Sequence, residues 1–418
     1  MIKPTILVII GISGDLSKRK LLPAILSLHR ANQLPQQFRI VGTTRQTLNT
    51  NDILGYLPAD ISDVEKTFMH EHTTTLQINT SQVEEYPSLA SHLTSIEAEF
   101  GTSAQRLFYL SVPPEISSPI VEHLGTSGLA KVENTKLLIE KPFGINFRSA
   151  AALVAHINQY FDETQVYRID HYLAKEMAQN IIIFRGGNSL FKQTWNKNFI
   201  ENIEIVASES IDIEGRTHFY EQTGAMRDVV QSHLFQLAAL TLMELPEYGD
   251  WESVPKYRLA ALNALNPPEK VLRGQYEGYR DEVANQASMV ETFVSMTLYS
   301  SDERWSGVPI TLTTGKALAE KLTEIRISYR QQDSRESNQL ILRIQPQEAI
   351  RVCLWVKRPG FERQLGQAQL GFEYQTDNDV IPDAYEHVLL DAINSNHSLF
   401  TTSDEVLIWP GCRDCTVR

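Results

Sequence analysis

An unbroken apolar, β-branched run, TILVIIG at residues 5–11, ends in a glycine and passes at once into GISGDLSKRK. A strand with no polar face must be covered on both sides, as the strands of a parallel sheet are. A parallel neighbour needs a crossover connection, usually a helix. The chain supplies one: in LLPAILSLHRANQL at 21–34, Leu21, Ile25 and Leu28 recur at helical spacing, and FRIVGTT at 38–44 reads as the second strand of a βαβ unit. Pro23 is compatible with that helix only near its first turn.

The same alternation continues. RLFYLSVPP at 106–114 and TKLLIEKPFG at 135–144 read as further buried strands running into proline-containing loops, with helical segments between. Such a pattern predicts a doubly wound sheet whose ligand lies beyond the carboxyl ends of the strands. After about residue 200 the period changes: IENIEIVASE, SMVETFVSMTLYS, VPITLTTGK, TEIRISY, QLILRIQP and AIRVCLWVK alternate apolar with polar and have no helix after each. Helical stretches at 225–243 and 253–266 could cover one face of the resulting sheet. The expected fold is an α/β dinucleotide-binding, Rossmann-like domain over 1–170, followed over 171–418 by an α+β domain with a large, mostly antiparallel sheet.

Charge narrows the partners. Lys and Arg number 38 against 51 Asp and Glu, a net −13, so nothing draws the chain to nucleic acid or an anionic membrane, and an anionic ligand must find cations placed locally. The apolar stretches at 5–12 and 237–243 fall well short of the ~20 residues that span a bilayer, and the first lacks a cleavage pattern behind it. Three cysteines, Cys353, Cys412 and Cys415, cannot staple a chain of 418 residues and point to a reducing, cytoplasmic setting. The pair in CRDC lacks the two further ligands a zinc site needs, so no metal is expected.

Gly11 and Gly14, where the first strand turns into the first helix, would let backbone amides approach a pyrophosphate at a helix N-terminus; a merely tight turn would use the same residues. At the end of the second strand, where a carboxylate would select NAD, the chain has Thr43, Thr44 and Arg45. A planar cation with hydroxyls suits a 2′-phosphate and favours NADP, although a solvated surface arginine would look the same.

Three later clusters carry more information: EKPFG at 140–144, RIDHYLAKE at 168–176 and GAMRDVVQSH at 224–233. With GISGDL and VPITLTTGKAL they make the chain resemble the glucose-6-phosphate dehydrogenase family from about Val8 to Trp409. EKP after a nucleotide-binding domain also resembles the glucose-fructose oxidoreductase and inositol dehydrogenase group, so that motif alone does not choose. The resemblance implies oxidation of glucose 6-phosphate to the 6-phosphogluconolactone, the entry to the pentose phosphate pathway, with hydride transfer to NADP. It implies His233 as the base and Asp170 as its partner, His171, Tyr172 and Lys175 on the phosphate, and Glu209, Asp228, Lys316 and Lys321 on the sugar. Lys141 would touch substrate and cofactor, and Gly11, Ser13, Gly14, Asp15, Leu16 and Arg45 the cofactor. A homodimer or dimer of dimers is implied as well.

Elementary geometry adds two conditions. If the chain is already helical at His171, that residue and Lys175 lie at i and i+4 on one face. Asp228 and His233, five apart, lie about 140° from each other on a regular helix and converge only near its start or across its edge. The chain also departs from the family: Ala174 replaces a glycine, GRTHFY at 215–220 replaces a glycine-rich loop, and Ser232 replaces the residue before the histidine. It ends in PGCRDCTVR where the family continues into a helical segment, an atypical short end that leads one to expect exposed apolar sheet. Two other readings follow: an oxidoreductase on a non-phosphorylated sugar or polyol, or a catalytically silent NADP-binding homologue.

Overall fold

In the computed structural model, which describes residues 3–58, 61–331, 335–374 and 381–408, the first apolar run is strand β1 (Thr5–Ile10), buried at every position. Successive side chains face opposite sides, as strand geometry requires. Leu7 and Ile9 join Leu22, Ile25 and Leu28 on one face, while Ile6, Val8 and Ile10 join Leu89, Leu93 and Ile120 on the other. Beside β1 run β2 (Phe38–Thr44), β3 (Thr73–Gln77), β4 (Gln105–Leu110), β5 (Thr135–Ile139) and β6 (Val166–Ile169), all parallel. The order β6-β5-β4-β1-β2-β3 reverses direction at β1, between β2 and β4. A doubly wound sheet takes its ligand at that switch point.

The first helix differs from expectation. It is already running at Asp15, widens to π geometry over Ser17–Leu21, and becomes α-helical over Leu22–Arg30. Pro23 therefore lies inside a continuous helical path. A proline there lacks the N–H and crowds the carbonyl four residues back, and the widened turn immediately before it relieves both demands.

A second sheet is built from β7 (Ile200–Ser208), β8 (Lys270–Gly274), β9 (Phe293–Leu298), β10 (Ile310–Gly315), β11 (Leu322–Tyr329), β12 (Gln339–Gln345), β13 (Ala349–Lys357) and β14 (Leu365–Glu373), in the order β14-β13-β12-β11-β7-β10-β9-β8. Only β7 and β10 pair in parallel; the other pairs are antiparallel. Alternate residues such as Val294, Met296 and Leu298 of β9, and Leu340, Leu342 and Ile344 of β12, are buried, the signature of a sheet with one covered face. The helix Glu176–Gly187 packs on β12 and on the helix Phe235–Leu242. At the far edge Leu365, Leu370 and Phe372 of β14 are exposed.

The described chain does not divide at a single point. One compact unit combines Met1–Ala174 with Pro382–Leu407, and the other comprises Lys175–Ile381 with Ile408–Arg418. Residues 382–407, expected in the second domain, return to the first because helix Ala384–Ile393 buries Val388, Leu389, Ala392 and Ile393 against the face that holds Leu7 and Ile9. A last strand, β15 (Phe400–Thr401), then pairs antiparallel with β6. Lys136 of β5 ties this return down: its ammonium donates to Gln105 Oε1 (2.7 Å), Ser395 Oγ (2.9 Å) and the Ala392 carbonyl. Among the described residues no helix is long and apolar enough to cross a membrane. Trp409, Cys412 and Cys415 lie outside the described residues.

Candidate active site

Beyond the carboxyl end of β1 the chain turns at Gly11, whose φ is +91°. A Cβ there would sit 2.5 Å from the Ser111 carbonyl oxygen, so packing against the end of β4 already demands glycine. Gly14 has no left-handed φ; a Cβ would lie 3.1 Å from the Gly11 oxygen, and its amide donates to that oxygen at 2.9 Å. Ser17 braces the turn by donating to Ser111 Oγ (2.8 Å) and the Gly11 carbonyl (3.1 Å). Ser13 lies near Thr44 Oγ1 (3.4 Å), exposed Asp15 pairs with Arg19 at 2.9 Å, and Leu16 packs against the core. A turn with glycine at both ends, ahead of a helix start and at the switch point of a parallel sheet, fits a dinucleotide.

At the end of β2 the expected trio separates. Thr43 and Thr44 are buried; Thr44 Oγ1 accepts the Gln46 amide at 3.2 Å, whereas Thr43 Oγ1 has no hydrogen-bond partner among the described residues. Arg45 alone is exposed, with its carbonyl held by Gln77 Nε2 at 3.2 Å.

Two successive residues after β5 meet two successive residues after β6. Lys141 Nζ lies 2.7 Å from Oδ2 of the fully buried Asp170, whose Oδ1 accepts the Tyr172 amide at 2.9 Å. Glu140 Oε2 lies 3.0 Å from His171 Nε2, while its other oxygen accepts the buried Tyr109 hydroxyl. The expected helix at His171 is absent: 171–174 is a turn closed on the Asp170 carbonyl by the amides of Leu173 (3.0 Å) and Ala174 (3.3 Å), and the helix begins at Glu176 after an extended Lys175. His171 and Lys175 are thus not an i, i+4 helical pair; the carboxylate of Asp170 holds the chain in the turn instead. The methyl of Ala174 is buried in the core, away from these polar groups.

In the other unit, Asp228 and His233 lie on a segment, Met226–Leu234, that is π-helical. Its backbone bonds run from i to i+5, so each turn holds more residues than an α-turn and the angle between residues five apart is smaller than the ~140° of a regular helix. The segment starts just after Gly224 (φ +63°), where Glu291 accepts the amides of Ala225 (2.9 Å, through its carbonyl) and Met226 (3.0 Å, through its carboxylate). Ser232, the unusual residue before the histidine, donates to the Asp228 carbonyl. Burial raises the Asp228 pKa, with His233, Lys316 and Arg216 pulling it back.

Lys316, 4% exposed, pairs with Glu209. Both stand at the ends of paired strands: the Glu209 amide donates to the Gly315 carbonyl and the Leu318 amide to the Glu209 carbonyl, each at 2.9 Å. Ala317 between them takes a left-handed φ of +52°, which costs a non-glycine residue roughly 1–2 kcal/mol. The ammonium stands 5.7 Å from the ring of buried Tyr220. Exposed Lys321 precedes Leu322, whose partner in β7 is Ser208, next to Glu209. One patch thus gathers cations and carboxylates able to hold several hydroxyls. Sequence reasoning missed the roles of Glu140, Tyr220 and Glu291, although Glu140 stood beside Lys141 in EKPFG, Tyr220 closed GRTHFY, and Glu291 lay in a stretch read only as a strand.

The chain matches the family profiles described as "Glucose-6-phosphate dehydrogenase, NAD binding domain" over residues 8–180 and "Glucose-6-phosphate dehydrogenase, C-terminal domain" over 182–411. It is 35% identical to a glucose-6-phosphate 1-dehydrogenase of Chlamydia muridarum, over 97% of this chain and 88% of that one, and 34% identical to one of Emericella nidulans, over 96% and 83%. A solved glucose-6-phosphate dehydrogenase in complex with glucose 6-phosphate superposes with a TM-score of 0.91 at 33% identity, over 97% of this chain and 89% of that one. The enzyme from Mycobacterium avium gives 0.86 at 28% identity, over 99% and 91%.

Proposed function

The chain belongs to the glucose-6-phosphate dehydrogenase family and oxidises glucose 6-phosphate with a nicotinamide dinucleotide, and from this premise we propose that it uses NADP, with His233 as the base. The dinucleotide supplies the hydride acceptor. His233 takes the C1 hydroxyl proton as hydride leaves C1, a role suited to imidazole near neutral pH, and Asp170 steadies the imidazolium. Lys316, Lys321, Glu209 and Asp228 hold the sugar, His171, Tyr172 and Lys175 hold the phosphate, and Lys141 serves both substrate and cofactor. Gly11, Ser13, Gly14, Asp15 and Leu16 receive the dinucleotide, with Arg45 on the 2′-phosphate. Positioned acid–base help is worth ~10²- to 10⁴-fold, against ~7–11 kcal/mol from alignment, so most of the rate comes from holding the reactants together.

The observation that supports this reading most directly is the π-helical segment that narrows the angle between Asp228 and His233, in the unit that also holds the Lys316–Glu209 pair. The test is a purified-protein assay of dinucleotide reduction. His233→Asn is expected to lower kcat by ~10²- to 10⁴-fold; an unchanged rate removes His233 as the base. Comparing glucose with glucose 6-phosphate tests the phosphate contacts. Arg45→Ala is expected to raise the KM for NADP about tenfold or more while leaving that for NAD alone, since a charge-assisted bond is worth roughly 1.5–3 kcal/mol. We also place the protein in the cytoplasm as a homodimer or dimer of dimers; its three cysteines among 418 residues support the first, and sedimentation tests the second.

A further inference from the structure

We propose that Glu140 is a positioning residue that, backed by Tyr109, orients the imidazole of His171 for the substrate's phosphate. This rests on the reading of His171 as a phosphate ligand. Glu140 follows β5 directly, and its two oxygens are divided between two donors: Tyr109 from the buried end of β4 and His171 from the turn after β6. Tyr109 is fully buried, so the carboxylate is anchored to the core of the sheet. A second restraint covers the ring: the His171 and Tyr385 centroids lie 4.3 Å apart at an interplanar angle of 34°. Tyr385 is brought there by the return of helix Ala384–Ile393, whose cap residue Asp383 is paired with Lys20 at 3.1 Å.

A carboxylate on Nε2 requires that nitrogen to carry its proton. The other ring nitrogen, Nδ1, is buried and has no hydrogen-bond partner among the described residues; in the protonated imidazole it would be a donor to a phosphate oxygen. A histidine on a turn would otherwise sample several rotamers, and each misplacement weakens a contact that depends on direction. Glu140 and Tyr385 remove that freedom before substrate arrives. The adjacent Lys141–Asp170 pair shows the same construction, with consecutive residues of one strand end gripping consecutive residues of the next.

The experiment measures kcat and KM for glucose 6-phosphate, glucose and the dinucleotide in wild type, Glu140→Gln, Tyr109→Phe, His171→Ala and Glu140→Gln/His171→Ala. Glu140→Gln keeps the shape and removes the charge. It is expected to raise the KM for glucose 6-phosphate about tenfold, the effect of losing roughly one charge-assisted bond, with kcat, the dinucleotide KM and turnover of glucose nearly unchanged. Tyr109→Phe should act in the same direction and less strongly. In the His171→Ala background the Glu140 change should add nothing, because the ring it orients is gone. An undiminished effect in that background, or one that falls on kcat or the dinucleotide, overturns the proposal. If His171→Ala raises the KM for glucose 6-phosphate and Glu140→Gln does not, only the positioning role falls. If His171→Ala leaves it unchanged, the phosphate reading falls, and this inference with it.

Discussion

Replacing Gly11 and Gly14 singly by alanine separates two demands that the turn after β1 places on glycine. At Gly11 the left-handed φ of +91° costs an alanine roughly 1–2 kcal/mol. The new Cβ would stand 2.5 Å from the Ser111 carbonyl and 3.0 Å from Val112 Cγ1. That carbonyl cannot retreat easily, because the Ser111 amide is bonded to the Ile10 carbonyl at 3.0 Å and its side chain to Ser17 at 2.8 Å. Overpacking of this kind costs a further ~1–3 kcal/mol, for a total of about 2–5 kcal/mol. At roughly 2–4 °C per kcal/mol for a unit of this size, Gly11→Ala should lower the Tm by on the order of 5–15 °C. Gly14→Ala meets only the Gly11 oxygen at 3.1 Å and the Ser111 oxygen at 3.5 Å, with no left-handed φ to strain it. It should leave stability within about 1 kcal/mol of wild type, helped by a stiffer unfolded chain. If Gly14 receives the pyrophosphate as proposed, a methyl there should nevertheless weaken dinucleotide binding about tenfold or more, which a loss of about 1.4 kcal/mol produces. Thermal unfolding followed by circular dichroism and a dinucleotide titration read these separately. A Gly14→Ala protein that binds as wild type would mean the glycine serves only the turn, and a Gly11→Ala protein that melts with wild type would refute the steric reasoning.

Other measurements probe the remaining structure. Burial raises the Asp391 pKa from 3.8 to about 6, so the fold prefers the neutral carboxyl; the penalty is absent below the unfolded value, grows as pH rises toward 6 and is then constant. Asp391→Asn should therefore stabilise the protein at pH 7 by up to about 3 kcal/mol and make no difference near pH 3.5, as urea unfolding at the two pH values will show. Lys136→Met removes the donor that serves Gln105, Ala392 and Ser395; Ser395 is exposed and the Ala392 carbonyl keeps the Ser395 amide, so the buried Gln105 Oε1 is left unpaired and the change should cost about 1–3 kcal/mol by denaturant midpoint. A negligible cost would mean that residues 382–407 are held by apolar packing alone. Lys316→Met should reduce kcat/KM for glucose 6-phosphate about a hundredfold, with stability changed by less than about 1 kcal/mol, because Glu209 remains partly exposed to water; an unaltered kcat/KM would take Lys316 out of the sugar site.

Much of the architecture was legible before any coordinates. β1, β4 and β5 are buried at every position and rich in apolar residues, and β9 and β12 of the second sheet alternate, because the burial of a strand's two faces is written largely into its residue order. β3, β6, β8, β14 and β15 escaped notice: TTTLQ, KVLRG, LGQAQLGFE and FT carry too little apolar content to announce themselves, VYRI is too short, and they pair because a neighbouring edge is available. The motifs holding Lys141, Asp170, His171, Asp228, His233 and Lys316 were likewise visible as clusters of chemistry-bearing residues.

Sequence alone therefore settled the class of each domain and the residue types offered to the ligand, since periodicity and local composition are properties of short stretches. It could not settle where those residues stand. The π geometry of the Asp228–His233 segment, the turn that breaks the helix expected at His171, and the return of residues 382–407 to the first sheet depend on partners far along the chain: Glu291 for the first, Lys141, which pairs with the Asp170 carboxylate that caps the turn, for the second, and Lys136 with the Leu7 and Ile9 face for the third. Hydrogen bonds and packing act across space rather than along the sequence, so only the folded chain brings Glu140 to His171 and Glu209 to Lys316.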